Sequence, residues 1–124
     1  MSNDLHAIRD AMRVFVDERD WDQFHTPKNL ACALSVEVAE LLEHFQWLQA
    51  GQRDELGEAK LEQVRHEMAD VMVYLVRLAD KLDVDLGAAV IEKMALNRAK
   101  YPAELVRGDA RKYDEYKKAG SKEP

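Results

Sequence analysis

Four carboxylates place the strongest constraint on how this chain can fold. Glu37 and Glu40 are three residues apart, and so are Glu67 and Asp70. On a helix, positions i and i+3 share a face. Each pair is set in an apolar stretch: Leu34, Val36, Val38, Leu41 and Leu42 surround the first, and Met68, Val71, Met72 and Val73 the second. Those neighbours predict burial. An ionised carboxylate is costly there unless something positive answers it, and the two stripes carry no basic residues paired with these acids. Two arrangements are open: a cation gathered by both pairs, or two solvated acidic stripes on surface helices. Two such pairs, each in the apolar part of its helix, favour the cation.

A chain of 124 residues forms one domain with a single core. An apolar fraction of 47% makes it globular rather than disordered. The net charge of −6 argues against a DNA or RNA polymer as partner, because Lys and Arg on phosphates supply most of that affinity. A mononucleotide held through a metal is compatible with it. Cys32 is the one cysteine, which excludes an intrachain disulfide and points to a reducing compartment. No apolar run approaches the roughly 18–20 residues of a membrane span. Met1–Asp10 is charged where a signal peptide is apolar. A cytoplasmic protein without a membrane partner is expected.

Helical periodicity runs through most of the chain. Leu5, Ile8, Met12 and Phe15 mark an amphipathic helix over 4–18, with Asp4 as its cap. Thr26-Pro27 reads as a cap followed by proline at the first helical position, opening a helix that runs to about Leu48. A third helix is expected from near Glu58 to about Leu82, and a fourth over about 86–100, stopped by Pro102. Alternating β-branched runs and Asn-Gly turns are missing. The expected fold is all-α: a four-helix bundle-like domain over 1–102, then a polar tail over 103–124. Two of the helices are apolar nearly all round, more than a small monomer can cover, so a homodimer or homotetramer is expected.

Four oxygen donors suit a hard divalent cation such as Mg²⁺, and no His/Cys cluster has zinc spacing. Periodicity and donor chemistry together reach a divalent-metal site in a helical bundle and stop there.

The motifs go further. Glu37-x-x-Glu40 followed by Glu67-x-x-Asp70 resembles the signature of the all-α NTP pyrophosphatases, the MazG-like group. Trp21-Asp22-Gln23-Phe24-His25-Thr26-Pro27-Lys28-Asn29-Leu30, Phe45-Gln46-Trp47 and Asn97-Arg98-Ala99-Lys100-Tyr101-Pro102 are similar to its dCTP pyrophosphatase branch, over about residues 4–102. The resemblance implies that Glu37, Glu40, Glu67 and Asp70 form a catalytic centre holding Mg²⁺, with Mn²⁺ as a substitute. It implies that Trp21 and Trp47 enclose the base and that Tyr74, Lys93 and Asn97 touch the nucleotide. His25 would either bind substrate or brace the Phe24 loop. Helix arithmetic agrees. Tyr74 is i+4 from Asp70 and i+7 from Glu67, Trp47 is i+7 from Glu40, and Lys93, Asn97 and Lys100 share a face.

The implied reaction is Mg-dependent hydrolysis of a nucleoside triphosphate, dCTP or a related pyrimidine nucleotide, to the monophosphate and pyrophosphate. Glu40 would accept the proton of the attacking water, and the cellular role would be sanitising the nucleotide pool. One residue departs from the branch: Met12 stands where the branch has a histidine near the base. A thioether packs against a ring but cannot read its edge, which leaves the base preference open. Two other readings are a non-catalytic helical module that dimerises with a partner, and a phosphohydrolase with a different product pattern.

Overall fold

The computed structural model describes residues 4–110 of the chain. Among them it is all-helical, with no strand. The long helices are α1 (Leu5–Glu18), α2 (Pro27–Glu43), α4 (Glu58–Lys81) and α5 (Leu86–Lys100). Two short ones, α3 (Arg53–Leu56) and α6 (Ala103–Val106), and a 3-10 turn over Asp22–Phe24 complete the order. The chain divides into two compact units, Met1–Leu86 and Gly87–Pro124. The segment expected to be a polar tail begins with the helix α6, and beyond residue 110 it lies outside the described residues. No helix among the described residues is long and apolar enough to cross a membrane.

Helix starts fall where the sequence marks them. The Asp4 carboxylate accepts the Ala7 N–H at 2.8 Å, and Thr26 Oγ1 accepts the Asn29 N–H at 3.1 Å, ahead of Pro27 at the first helical position. Each satisfies a donor that the first turn of a helix would otherwise leave without a partner.

The ends of α1 and α4 share one device. Asp20 and Asp83 take φ values of 53° and 55°, in the left-handed region. After α1, the Trp21 N–H donates to the Val16 carbonyl and the Asp20 N–H to that of Asp17. After α4, Val84 donates to Ala79 and Asp83 to Asp80. These are Schellman caps with aspartate where glycine is usual. The first folds Trp21 back onto Phe15, with ring centroids 5.7 Å apart and planes at 72°.

The helix α2 ends at Glu43, five residues short of the expected Leu48. The His44 and Phe45 N–H groups reach back only three residues, to Leu41 and Leu42, so the last turn tightens and stops. The chain then reverses at Gly51, whose φ is +72° and where an added Cβ would come within 2.8 Å of Phe45 Cδ1. Only glycine fits both demands.

Within Met1–Leu86, α4 is the central element, and α1 and α2 pack on it. Val16 from α1, Leu30 from α2, and Val64, Val76 and Ala79 from α4 are buried. Full burial of each large aliphatic contributes about 1.5–3 kcal/mol. His25, just before α2, meets Arg77, while Glu37 meets Glu67 and Asp70. Advancing along α2 therefore means retreating along α4, so the two helices are antiparallel.

One expectation needs correcting. Several apolar neighbours of the acidic pairs are exposed: Val36, Val38 and Leu42 on α2, and Met68 and Met72 on α4. Leu42 reaches 60% and Met68 58%. Each helix uses one stripe to pack on its neighbour, and the surplus apolarity that made these positions read as core faces outward in the single chain.

Candidate functional site

The antiparallel packing of α2 on α4 brings three of the four predicted carboxylates together. One oxygen each from Glu37, Glu67 and Asp70 lies within 4.8 Å of the others. Glu37 and Glu67 are half-buried and Asp70 is exposed. The Oε2 atoms of Glu37 and Glu67 are buried without a hydrogen-bond partner. A buried acceptor left without a partner costs about 1–3 kcal/mol, more when charged. The donor set is oxygen alone, so a hard divalent cation fits these residues. Glu40 is the exception to the predicted four: it contributes no oxygen to the cluster, but lies one turn from Glu37 and within hydrogen-bonding reach of it.

The electrostatics follow from that crowding. Burial, the hydrogen bond with Glu40, and the charges of Glu40, Asp70 and Glu67 push the Glu37 pKa up from 4.5 to about 7. Several negative charges converging in a partly dry place favour keeping a proton among them.

The predicted nucleotide contacts fall into separate settings. Tyr74 is half-buried on α4, one turn beyond Asp70 as the arithmetic expects. Trp21 sits on Phe15, with 44% of its surface exposed. Trp47 follows the tight end of α2, so it does not continue the Glu40 stripe of that helix, and it is 88% exposed. The backbone just after it is clamped: the Glu55 carboxylate accepts the N–H groups of Gln49, Ala50 and Gly51 at 2.9, 3.1 and 2.9 Å. Those bonds hold the Glu55 carboxyl below its ordinary pKa. Lys93 and Asn97 lie one turn apart on α5, in the unit from Gly87 onward.

His25 turns out to be braced, by residues the motif reading missed. Arg77 Nε donates to His25 Nδ1 at 3.2 Å, and Nη2 to the Asp22 carboxylate at 2.6 Å. Lys81 Nζ reaches Asp22 at 2.9 Å. Arg77 Nη1 contacts Asp80 at 3.3 Å, and Arg13 Nε of α1 contacts the same aspartate at 2.8 Å. The sequence does carry a signal for this. Arg77 interrupts the apolar run Leu75-Val76-Arg77-Leu78-Ala79, where a lone cation needs partners.

The MazG-like family model matches residues 32–115, more than half of the chain. Human dCTP pyrophosphatase 1 is 47% identical over 113 residues, which cover 90% of this chain and 66% of the human protein. The dCTP pyrophosphatase 1 of Rattus norvegicus is 46% identical over 111 residues, covering 88% and 65%. The chain thus spans just under two thirds of the length of these curated relatives. Among solved structures, a pyrophosphatase from Archaeoglobus fulgidus superposes with a TM-score of 0.73 at 44% identity, over 78% of this chain and 91% of that one. In sequence match and in fold alike, the chain belongs to the MazG-like family.

Proposed function

We propose that the chain is a divalent-cation-dependent nucleoside triphosphate pyrophosphohydrolase, converting dCTP or a related pyrimidine nucleotide to its monophosphate and pyrophosphate. The observation that carries this reading is the convergence of Glu37, Glu67 and Asp70, with two buried carboxylate oxygens left without a partner. The names borne by the relatives support the substrate class.

Glu37, Glu67 and Asp70, with Glu40 beside them, would hold Mg²⁺, for which Mn²⁺ substitutes. Bound there, such an ion supplies charge neutralisation for a triphosphate and a lowered pKa for water. The other steps belong to the chain itself. A Glu40 carboxylate oxygen, outside the three-residue cluster, accepts the proton of the attacking water. Trp21 and Trp47 present exposed aromatic faces suited to a base. Tyr74 orients the nucleotide one turn from Asp70. Lys93 and Asn97 share one face of α5, a cation and an amide suited to phosphate oxygens. Met12, half-buried on α1, packs without reading a base edge, so discrimination among pyrimidines is loose. The outward apolar rows of α2 and α4 support self-association into a homodimer or homotetramer. Residues 1–102 form the catalytic domain, working in the cytoplasm.

The test is a purified sample with Mg²⁺ and a panel of deoxynucleoside triphosphates, with nucleotide products and pyrophosphate measured separately. Monophosphate and pyrophosphate in equal amounts are expected. Direct release of orthophosphate would replace the proposed product pattern. No turnover with any nucleotide, across Mg²⁺ and Mn²⁺ and from acid to alkaline pH, would leave only a helical interaction module.

A further inference from the structure

Arg77 is the one charged side chain among the described residues that is fully buried, at 5% exposure. Its guanidinium uses three different nitrogens on three acceptors: Nε on His25, Nη2 on Asp22 and Nη1 on Asp80. Two of those acceptors lie in the segment Trp21–His25. That segment is held at its start by the Schellman cap and the Trp21–Phe15 stack, and at its end by Asn29 Nδ2 on the Phe24 carbonyl at 3.0 Å. Arg77 secures its middle.

The hydrogen-bond direction has a chemical consequence. A guanidinium only donates, so His25 Nδ1 must be an unprotonated acceptor. The imidazole is then neutral, with its proton on Nε2. The charged groups facing it are Arg77 and Lys81 from α4 and Asp22 from its own segment. Burial and the two cations press its pKa down, while Asp22 opposes them. An all-apolar replacement of the whole network would serve stability as well or better, since buried ion pairs often stabilise less than a good hydrophobic fit. What the planar fork adds is a fixed geometry.

We propose that Arg77 is a positioning residue for the nucleotide: it clips Trp21–His25 to α4 and fixes His25 as the neutral Nε2–H tautomer, which offers a hydrogen-bond donor rather than a charge to an acceptor on the base or sugar. The nucleotide part rests on the proposed function above; the tautomer part stands without it. Lysine cannot replace Arg77, because its three donors sit on one compact nitrogen and lack the planar fork that spans His25, Asp22 and Asp80.

The test combines ¹⁵N NMR of the His25 ring with steady-state kinetics on the wild-type chain, Arg77→Met, Arg77→Lys and Trp21→Ala. Arg77→Met is expected to fold, because Asp80 keeps Arg13 and Asp22 keeps Lys81. In wild type the ring shows an unprotonated Nδ1 and titrates below an ordinary histidine. In both Arg77 variants the tautomers mix, the titration moves up, and KM for the nucleotide rises about tenfold, a lost hydrogen bond's worth, while kcat stays within about twofold. A purely structural role would lower the melting temperature and leave the ring spectrum and KM unchanged. A wild-type ring protonated on Nδ1, or a spectrum unmoved in Arg77→Met, overturns the tautomer assignment. A KM raised by Trp21→Ala but not by the Arg77 variants overturns the positioning role and spares the nucleotide reading. A KM unmoved by all three, with the ring shifts as expected, overturns the nucleotide reading and the role resting on it, and leaves the tautomer clip standing.

Discussion

Replacing Glu37 by glutamine should make the metal-free protein more stable. Its carboxyl is pushed from 4.5 to about 7 by burial, by Glu40, and by the charges of Glu40, Asp70 and Glu67. The folded state therefore holds that proton more tightly than the unfolded chain does. Stability is unaffected by Glu37 below about pH 4.5 and declines as the pH climbs from there to about 7. At about 1.4 kcal/mol per pH unit the full decline is about 3 kcal/mol, and solvent screening at a half-buried site trims it to about 2 kcal/mol. Glutamine has the same shape and never ionises, so Glu37→Gln should be more stable than wild type by about 2 kcal/mol at pH 8 and close to it near pH 5. Urea unfolding in the presence of a chelator, at pH 5, 6, 7 and 8, measures both. Adding Mg²⁺ should then stabilise wild type, by about 2.7 kcal/mol at a hundredfold excess over Kd, and leave the variant nearly unmoved. A variant less stable than wild type at pH 8 without metal, or one that gains as much from Mg²⁺, would refute the reasoning.

Other expectations follow from single residues. Trp47→Ala should raise KM about tenfold and leave the melting temperature nearly unchanged, since the ring is 88% exposed and holds little of its own chain together; loss of stability with KM unchanged would make it a packing residue. Gly51→Ala should destabilise by about 1–2 kcal/mol in chemical denaturation, because φ is +72° and the new Cβ would press on the Phe45 ring. Asp83→Gly should stabilise by about 0.5–1 kcal/mol, by relieving a left-handed residue at the end of α4. Glu55→Gln should flatten the acid limb of the stability profile. The Glu55 pKa is held down by the three N–H bonds, so its contribution is present above the ordinary carboxylate pKa and is lost as pH falls through the lowered one; an unchanged acid limb would count against the clamp.

Much of the fold was legible because helical signals are local. Capping residues act over three positions, so Asp4 and Thr26-Pro27 mark their helix starts without any knowledge of the rest. The acidic pairs were legible for the same reason: i,i+3 spacing on a helix is a statement about one turn. The end of α2 was not: the chain tightens at His44 and Phe45, and what lies beyond is held by the Phe45 ring against Gly51 and by Glu55 on the Gln49–Gly51 backbone, contacts that no short-range pattern marks. The brace on His25 was hidden more deeply. Asp22 and Arg77 are 55 residues apart, and nothing local in either pairs them.

The sequence by itself determined the helical class and the helix starts, and it singled out the two acidic pairs from which the cluster of Glu37, Glu67 and Asp70 is drawn, since each depends on periodicity or on chemistry within a turn or two. Tertiary structure decided which carboxylate oxygens meet. Glu37, Glu67 and Asp70 converge and Glu40 stands beside them, because the antiparallel approach of α2 to α4 selects among side chains that share a face. It also decided which apolar residues are core. Val16 and Leu30 are buried while Leu42 and Met68 are exposed, a distinction that hydrophobicity cannot make because burial is a property of the surface that comes to lie opposite.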